Sequence, residues 1–257
     1  MKIIAIANQK GGTGKSTTAA AIAQAAHYKG LRCLAIDLDP QGNTSFFLNA
    51  DTNTAGAFDL LEGTPAASVI QSTPQGIDTI SANWSLQTIG TGTGSAWRLR
   101  KSLEPIRGKY DLIIIDTPPT AGELQTNAIM AGTDLIIPLL ADVGSLQGLY
   151  QIADTARKIQ QQNKDLKLTG YVLTRCGGRS TLARQMAEII EARAKENGIP
   201  FLIAIREAVA IREAQSWKES LYDYAPKSKP AEDYLALLEM LTRKNGKQKR
   251  GSKQSNS

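Results

Sequence analysis

Histidine, cysteine, aromatic residues and long apolar runs are all scarce in this chain of 257 residues. A single histidine, His27, excludes any catalytic or metal-binding scheme that needs two. Cys33 and Cys176 are the only cysteines, too few for a disulfide framework or a four-cysteine metal site. Aromatic residues make up 5% of the chain, which argues against base stacking as a main mode of recognition. No apolar stretch approaches the roughly 18 residues of a membrane-spanning helix. Met1–Lys10 is a short apolar run ending in polar residues, without the longer apolar region and cleavage site of a signal peptide. The expected compartment is the cytosol.

Acidic residues are missing in one place. After Glu239 there are none, while Arg243, Lys244, Lys247, Lys249, Arg250 and Lys253 account for the whole net charge of +6. Before them, basic and acidic residues balance at 24 each, so the body of the chain is neutral. Residues 245–257 hold only Gly, Ser, Gln, Asn, Lys and Arg and are expected to form a disordered basic tail behind a domain spanning 1–244. Such a tail either attracts polyanions such as DNA or simply aids solubility. Hydrophobic residues at 42% against 21% charged exclude a wholly disordered or fibrous protein.

Aliphatic runs alternate with helical patterns along the chain. The pattern predicts strands at Lys2–Ala7, Arg32–Asp37, Ile77–Ile80, Asp111–Ile115, Leu135–Leu140, Leu168–Thr174 and Phe201–Ile205. It predicts helices at Lys15–Lys29, Ala57–Glu62, Ala96–Ile106, Gly122–Ala131, Ser145–Gln162, Leu182–Asn197 and Ala231–Lys244, and a loop at Thr88–Ser95. Strand–helix alternation with strands apolar on both faces means an α/β fold: a doubly wound, mostly parallel sheet with helices on both faces. Ligands in such sheets bind beyond the carboxyl ends of the strands.

The strongest signal, Lys10-Gly11-Gly12-Thr13-Gly14-Lys15-Ser16-Thr17, sits between the first strand and the first helix. Backbone N–H groups of such a loop cradle phosphates, and the helix N-terminus adds a positive field. Lys15 reaches the β- and γ-phosphates and the Ser16 hydroxyl binds Mg²⁺ in a loop of this kind. The standard pattern wants glycine at position 9, where this chain has Gln9, and Lys10 is an additional lysine. Asp39 lies just past the second strand, placed to orient an attacking water, and Asp37 precedes it. Leu112–Ile115 runs into Asp116, the arrangement of a Mg²⁺-binding acid. Ser16, Asp39 and Asp116 are therefore the candidate metal residues, and Lys10, Lys15 and Asp39 the candidate catalytic ones. Thr117-Pro118-Pro119 makes a stiff loop suited to sensing a γ-phosphate.

Asn8–Thr18, Asp37–Asn43, Asp111–Pro119, Ile211–Ser216 and Tyr224–Ser228 together resemble the ParA-type partition ATPases of the ParA/MinD group, with the K-G-G-x-G-K-[ST] form of the P-loop known as the deviant Walker A. The P-loop begins at residue 8, so the likeness is to the small type without its own operator-binding domain. The resemblance implies that Lys10 reaches across a dimer interface to phosphates held by the other subunit. It implies an ATP-sandwiched homodimer that binds double-stranded DNA without sequence preference, on the nucleoid, and a ParB-like centromere-binding partner that stimulates slow hydrolysis. Arg179 matches a DNA-contacting arginine of the family, whereas another family arginine is replaced by Ala210. Arg206, Arg212, Lys218 and Lys227 are nearby cations able to substitute. Leu173–Arg175 and Ile205–Ala208 are the expected base pocket.

Three other readings use the same loop. A membrane positioner of the MinD type needs a C-terminal amphipathic helix, but Ala231–Lys244 is expected to dock on the core, and the tail has no apolar face. A positioning ATPase with a protein cargo shares the whole cycle and differs only in its partner. A ligase that activates a small carboxylate needs a substrate pocket and further acid–base groups.

Overall fold

Side chains along the first strand alternate between two apolar layers. Ile3 and Ala5 face one layer of helices and Ile4 and Ile6 the other, all essentially inaccessible to solvent. The structure, a computed structural model, describes residues 1–90, 92–177 and 181–243. Its strands are β1 Lys2–Ile6, β2 Cys33–Asp37, β3 Gln71–Ser72, β4 Asp78–Ile80, β5 Leu112–Asp116, β6 Asp134–Leu139, β7 Lys167–Cys176 and β8 Phe201–Arg206. They form one sheet in the order β3-β4-β2-β5-β1-β6-β7-β8, parallel throughout except for the short edge pair β3–β4. The doubly wound expectation is met, because aliphatic strands buried on both faces need a helical layer on each side.

The helix Lys15–Tyr28 is apolar almost all round, with Ala19, Ala20, Ala21, Ile22, Ala23, Ala25 and Ala26 buried. A helix of that kind must be enclosed. It lies between the sheet and the C-terminal helix Lys229–Thr242, whose Tyr234, Leu237, Leu238 and Leu241 are buried against the same core. The Thr18 and Tyr234 hydroxyls meet at 3.3 Å across this contact. The docking expected of the last helix is thus observed, and its apolar face is taken up by the fold. Gly30 ends the first helix in a left-handed conformation, φ +71°, with Leu31 N–H donating back to the Ala26 carbonyl. Only a glycine adopts that conformation freely. Among the described residues no helix is long and apolar enough to cross a membrane.

Several short elements were not expected: helices Asn43–Phe47, Ala66–Val69 and Leu221–Tyr224, and strand β3. Runs of two to five residues show no periodicity. The helix Val209–Trp217 was missed because it is only nine residues long, too short for a clear helical period, and Ala214 alone of its residues is buried. The helix expected over Ala96–Ile106 is a 3₁₀ turn, the helix Arg98–Leu103 and a second 3₁₀ turn at Pro105. The expected tail, residues 245–257, lies outside the described residues.

Candidate nucleotide site

The register of the central strands brings three strand ends into line. Asp116 closes β5 beside Ile6 of β1 on one side and Asp37 of β2 on the other. The loop after β1 is fastened from several directions. Buried Asn8 donates through Nδ2 to the Pro138 carbonyl at 2.7 Å, and its Oδ1 accepts from Lys10 N–H at 3.0 Å. The Thr174 hydroxyl, at the end of β7, lies 2.8 Å from the Thr13 carbonyl and 3.1 Å from that of Leu139. Gly12 and Gly14 have φ of +73° and +85°. A Cβ at Gly12 would meet nothing within 4 Å, so within one protomer glycine is required there by conformation and not by crowding.

Gly14 is the N-cap of the helix Lys15–Tyr28, with no side-chain cap and no acidic residue in the first turn. Its leading N–H groups are therefore open to an anion. They face a cavity of about 310 Å³ lined by Gly11, Gly12, Gly14, Lys15, Ser16 and Thr17, with Asp39, Gln41 and Asn43 opposite and Pro119 and Arg175 at its sides. Lys15 is buried. Desolvation lowers its pKa, against the opposing pull of the Asp116 and Asp39 charges.

The carboxylates have different environments. Asp37 is fully buried; Oδ1 accepts from Asp39 N–H at 3.0 Å, and Oδ2 from Ser45 N–H and Oγ, both at 2.8 Å. Burial and the Asp116 charge push its pKa up, and its bonds show a side chain that shapes the loop Leu38–Ser45. Asp116 is also fully buried; it accepts from the Thr44 hydroxyl at 2.7 Å and from Thr117 N–H at 3.0 Å. Burial raises it, while hydrogen bonds from Ser16 and Thr44 and the Lys15 charge oppose that rise. Asp39 is 6% exposed, accepts from Gln41 N–H at 3.0 Å and lines the cavity.

This donor set fits Mg²⁺. The Ser16 hydroxyl, Asp39 and Asp116 are hard oxygen donors, and among the described residues no group of three His, Cys, Asp or Glu forms an all-protein cage. Mg²⁺ bound with phosphates keeps several waters and takes few protein ligands. Both Asp116 oxygens already accept hydrogen bonds, which favours a water between it and the ion.

A second cavity, about 230 Å³, adjoins the first and shares Gly14, Thr17 and Arg175 with it. Thr174, Ile205, Arg206, Glu207 and Ala208 line it, so both expected base-pocket stretches contribute. Gln215 and Tyr234 complete the wall, and Gln215 Nε2 donates to the Thr17 hydroxyl at 3.2 Å. These contacts depend on the unforeseen helix Val209–Trp217.

Lys10 points elsewhere. Its ammonium contacts both carboxylate oxygens of Asp142 in the same chain, and Asp142 also accepts from the Ser145 hydroxyl at 2.9 Å. Asp142 was missed in the sequence, although an acid just beyond a strand's carboxyl end is the same signal that singles out Asp39. Of the candidate DNA contacts, Arg179 lies outside the described residues. Arg206 differs from a free surface cation: its guanidinium is held by Asp233 at 2.6 Å, Glu232 at 3.2 Å and the Lys229 carbonyl at 3.2 Å, tying β8 to the last helix. Arg212 faces Glu207 at 3.5 Å, Lys218 lies 4.6 Å from the Phe46 ring centroid, and Lys227 is exposed.

Comparison with known proteins agrees with this geometry. A family model described as an AAA domain matches residues 1–168. The sporulation initiation inhibitor protein Soj of Bacillus subtilis is 34% identical over 246 residues, covering 92% of this chain and 96% of Soj. The chromosome partitioning protein ParA of Myxococcus xanthus is 34% identical over 248 residues, covering 92% of this chain and 86% of ParA. A solved structure of a cobyrinic acid a,c-diamide synthase from Mycobacterium smegmatis, with bound ADP and magnesium, is 30% identical with a TM-score of 0.79 and covers 94% of both chains. The chain belongs to the ParA/Soj family of partitioning ATPases, enzymes that act on ATP with Mg²⁺.

Proposed function

We propose that two copies of this chain close face to face around ATP, that the closed dimer binds double-stranded DNA without sequence preference, and that a ParB-like centromere-binding partner stimulates hydrolysis and releases it. The observation that carries this reading is the position of Lys10. Lys15 lines the protomer's own phosphate cavity, whereas the Lys10 ammonium is turned away to Asp142. A second lysine unused by its own cavity is available to phosphates bound elsewhere, and a facing copy supplies them.

In this reading the N–H groups of Gly11–Thr17 cradle the phosphates and Lys15 neutralises the β- and γ-oxygens. Ser16, Asp39 and, through water, Asp116 would hold Mg²⁺, which would supply charge neutralisation at the phosphates. Asp39 orients the attacking water. Hydrolysis stays slow until Lys10 of the facing subunit and the partner complete the charge balance. Residues 1–244 act as the ATPase domain in the cytosol, associated with the nucleoid. Arg179, Arg212, Lys218, Lys227 and the basic tail 245–257 supply phosphate contacts to DNA.

The test is binding to unrelated double-stranded DNA without nucleotide, with ADP and with ATP–Mg²⁺, each at two salt concentrations. The expected outcome is binding that requires ATP and weakens steeply with salt. Binding regardless of nucleotide would assign the affinity to the tail alone. A ligase reading is favoured by the likeness to the diamide synthase and by a mainly apolar cavity of about 640 Å³ beside Asp39, walled by Leu86, Ile89, Pro118, Pro119 and Leu124. ATPase activity with no DNA binding under any condition would favour it.

A further inference from the structure

Arg175, at the end of β7, has a left-handed backbone, φ +53°, one of three non-glycine residues with positive φ among those described. A side chain in that conformation is strained and persists only where its surroundings enforce it, most often at functional sites. The enforcement here comes from both neighbours. Thr174 is anchored to the Thr13 and Leu139 carbonyls, and the Cys176 carbonyl accepts from Glu207 N–H at 2.7 Å. The ladder between β7 and β8 shifts register between Leu173 and Cys176. The chain is thus fixed on either side of Arg175 and turns at it.

That turn puts Arg175 where the two cavities of the nucleotide site meet. It lines both, and only Gly14 and Thr17 do likewise. Arg175 is exposed, and its side chain makes no hydrogen bond or ion pair among the described residues. The other two arginines of the second cavity have counterions: Asp233 and Glu232 for Arg206, Glu207 for Arg212. Arg175 is therefore an uncompensated guanidinium at the junction of a phosphate-sized, N–H-lined cavity and a more enclosed one.

We infer that Arg175 binds the nucleotide at its α-phosphate, the group common to ADP and ATP. This rests on the reading of the two cavities as phosphate and base sites. A nucleotide with its terminal phosphates on the loop and its base in the second cavity passes the junction with its α-phosphate. A guanidinium matches two non-bridging phosphate oxygens through paired N–H donors, which an ammonium does not reproduce. Arg175 thus holds substrate and product alike and sets nucleotide affinity without taking part in hydrolysis.

The experiment is calorimetric titration of the full chain and of Arg175→Ala, Arg175→Gly and Arg175→Lys with ADP, ATP–Mg²⁺ and GTP–Mg²⁺, with steady-state ATPase rates and binding to double-stranded DNA alongside. Expected is a loss of affinity of about tenfold or more, equal for the two nucleotides, in the Ala and Gly variants. Lys should recover part of it, and KM should rise with kcat unchanged. The Gly variant relieves the left-handed strain, so its loss of affinity cannot be attributed to misfolding. Unchanged affinity for both nucleotides overturns the assignment. So does a loss confined to discrimination between ATP and GTP, which would mean a base contact, or a loss of DNA binding with nucleotide affinity intact. If the unaltered chain binds neither ADP nor ATP, the reading of the cavities fails and the assignment with it.

Discussion

Lys10 and Asp142 are joined across 132 residues of chain, the ammonium held by both oxygens of the carboxylate. Partial burial works to raise the Asp142 carboxyl, but hydrogen bonds from Lys10 and Ser145 and the Lys10 charge hold it below its ordinary value. The pair is half exposed, 31% for Lys10 and 40% for Asp142, so it is screened by solvent and exchanges partners at low cost. In the proposed dimer, a lysine restrained this way would be released to the more highly charged phosphates of the facing copy.

Removing the restraint should favour assembly. Asp142→Ala is expected to raise the ATP-dependent dimerisation constant by at most about thirtyfold, since each exposed pair contributes about 0.2–1 kcal/mol and closure releases two of them. Analytical ultracentrifugation with ATP–Mg²⁺ measures this. Fewer dimers than in the unaltered chain would mean that Asp142 takes part in assembly instead of restraining it.

Asp39 has little to do for the fold. Its carboxylate accepts one described hydrogen bond, from Gln41 N–H, so Asp39→Ala should cost about 1 kcal/mol of stability. ATP affinity should be kept and the single-turnover hydrolysis rate should fall by about 10²–10⁴-fold. Rapid-quench hydrolysis at the normal rate would remove Asp39 from its proposed role.

Thr174 anchors the phosphate loop from β7. Thr174→Val keeps the shape but takes the donor from the Thr13 and Leu139 carbonyls, and should cost about 1–3 kcal/mol in urea unfolding. With the loop less well held, KM for ATP should rise while kcat changes little. An unaltered unfolding midpoint together with an unaltered KM would contradict the anchoring role.

The opposite end of the sheet carries a pH dependence. Arg32 contacts Asp111 through its backbone N–H, Nε and Nη2, at 3.1, 3.1 and 2.8 Å, pinning β2 beside β5. These hydrogen bonds draw the Asp111 carboxyl down to about 2. Because the folded value lies below the unfolded one of about 3.9, the pair's contribution is complete above that pH and is lost as pH falls toward about 2. Acid unfolding of Asp111→Asn should be flatter than that of the unaltered chain across this window, with the difference shrinking at high salt. Superimposable curves would show that the pair contributes nothing.

The parts of the site legible in the sequence are those built from consecutive residues. Gly11–Thr17 carries its own strand-to-helix geometry, and Asp39 and Asp116 each follow an aliphatic run that announces a strand end. The docking of the last helix is announced by the Pro-containing segment Tyr224–Ser228 that precedes it, and Leu237, Leu238 and Leu241 are the residues it buries. The misses share the opposite property. The helix Val209–Trp217 has only one fully buried residue to mark it, and its Gln215 matters through a contact with Thr17, 198 residues away. Arg206 and Arg212 look alike as cations in the sequence, yet the first is neutralised by two carboxylates of the last helix.

By itself the sequence determined the chemistry on offer: a phosphate-binding loop, two acids at strand ends, an additional lysine and an α/β alternation, because each is a pattern of consecutive residues. Tertiary structure decided what those groups face. Inserting β5 between β1 and β2 sets Asp116 beside Asp37, where shared burial raises both carboxyls. The loop after β6 brings Asp142 to Lys10, and the end of β7 turns Arg175 toward the junction of the two cavities. Charge pairing and burial depend on distance in space, and strand order, not position along the chain, sets that distance.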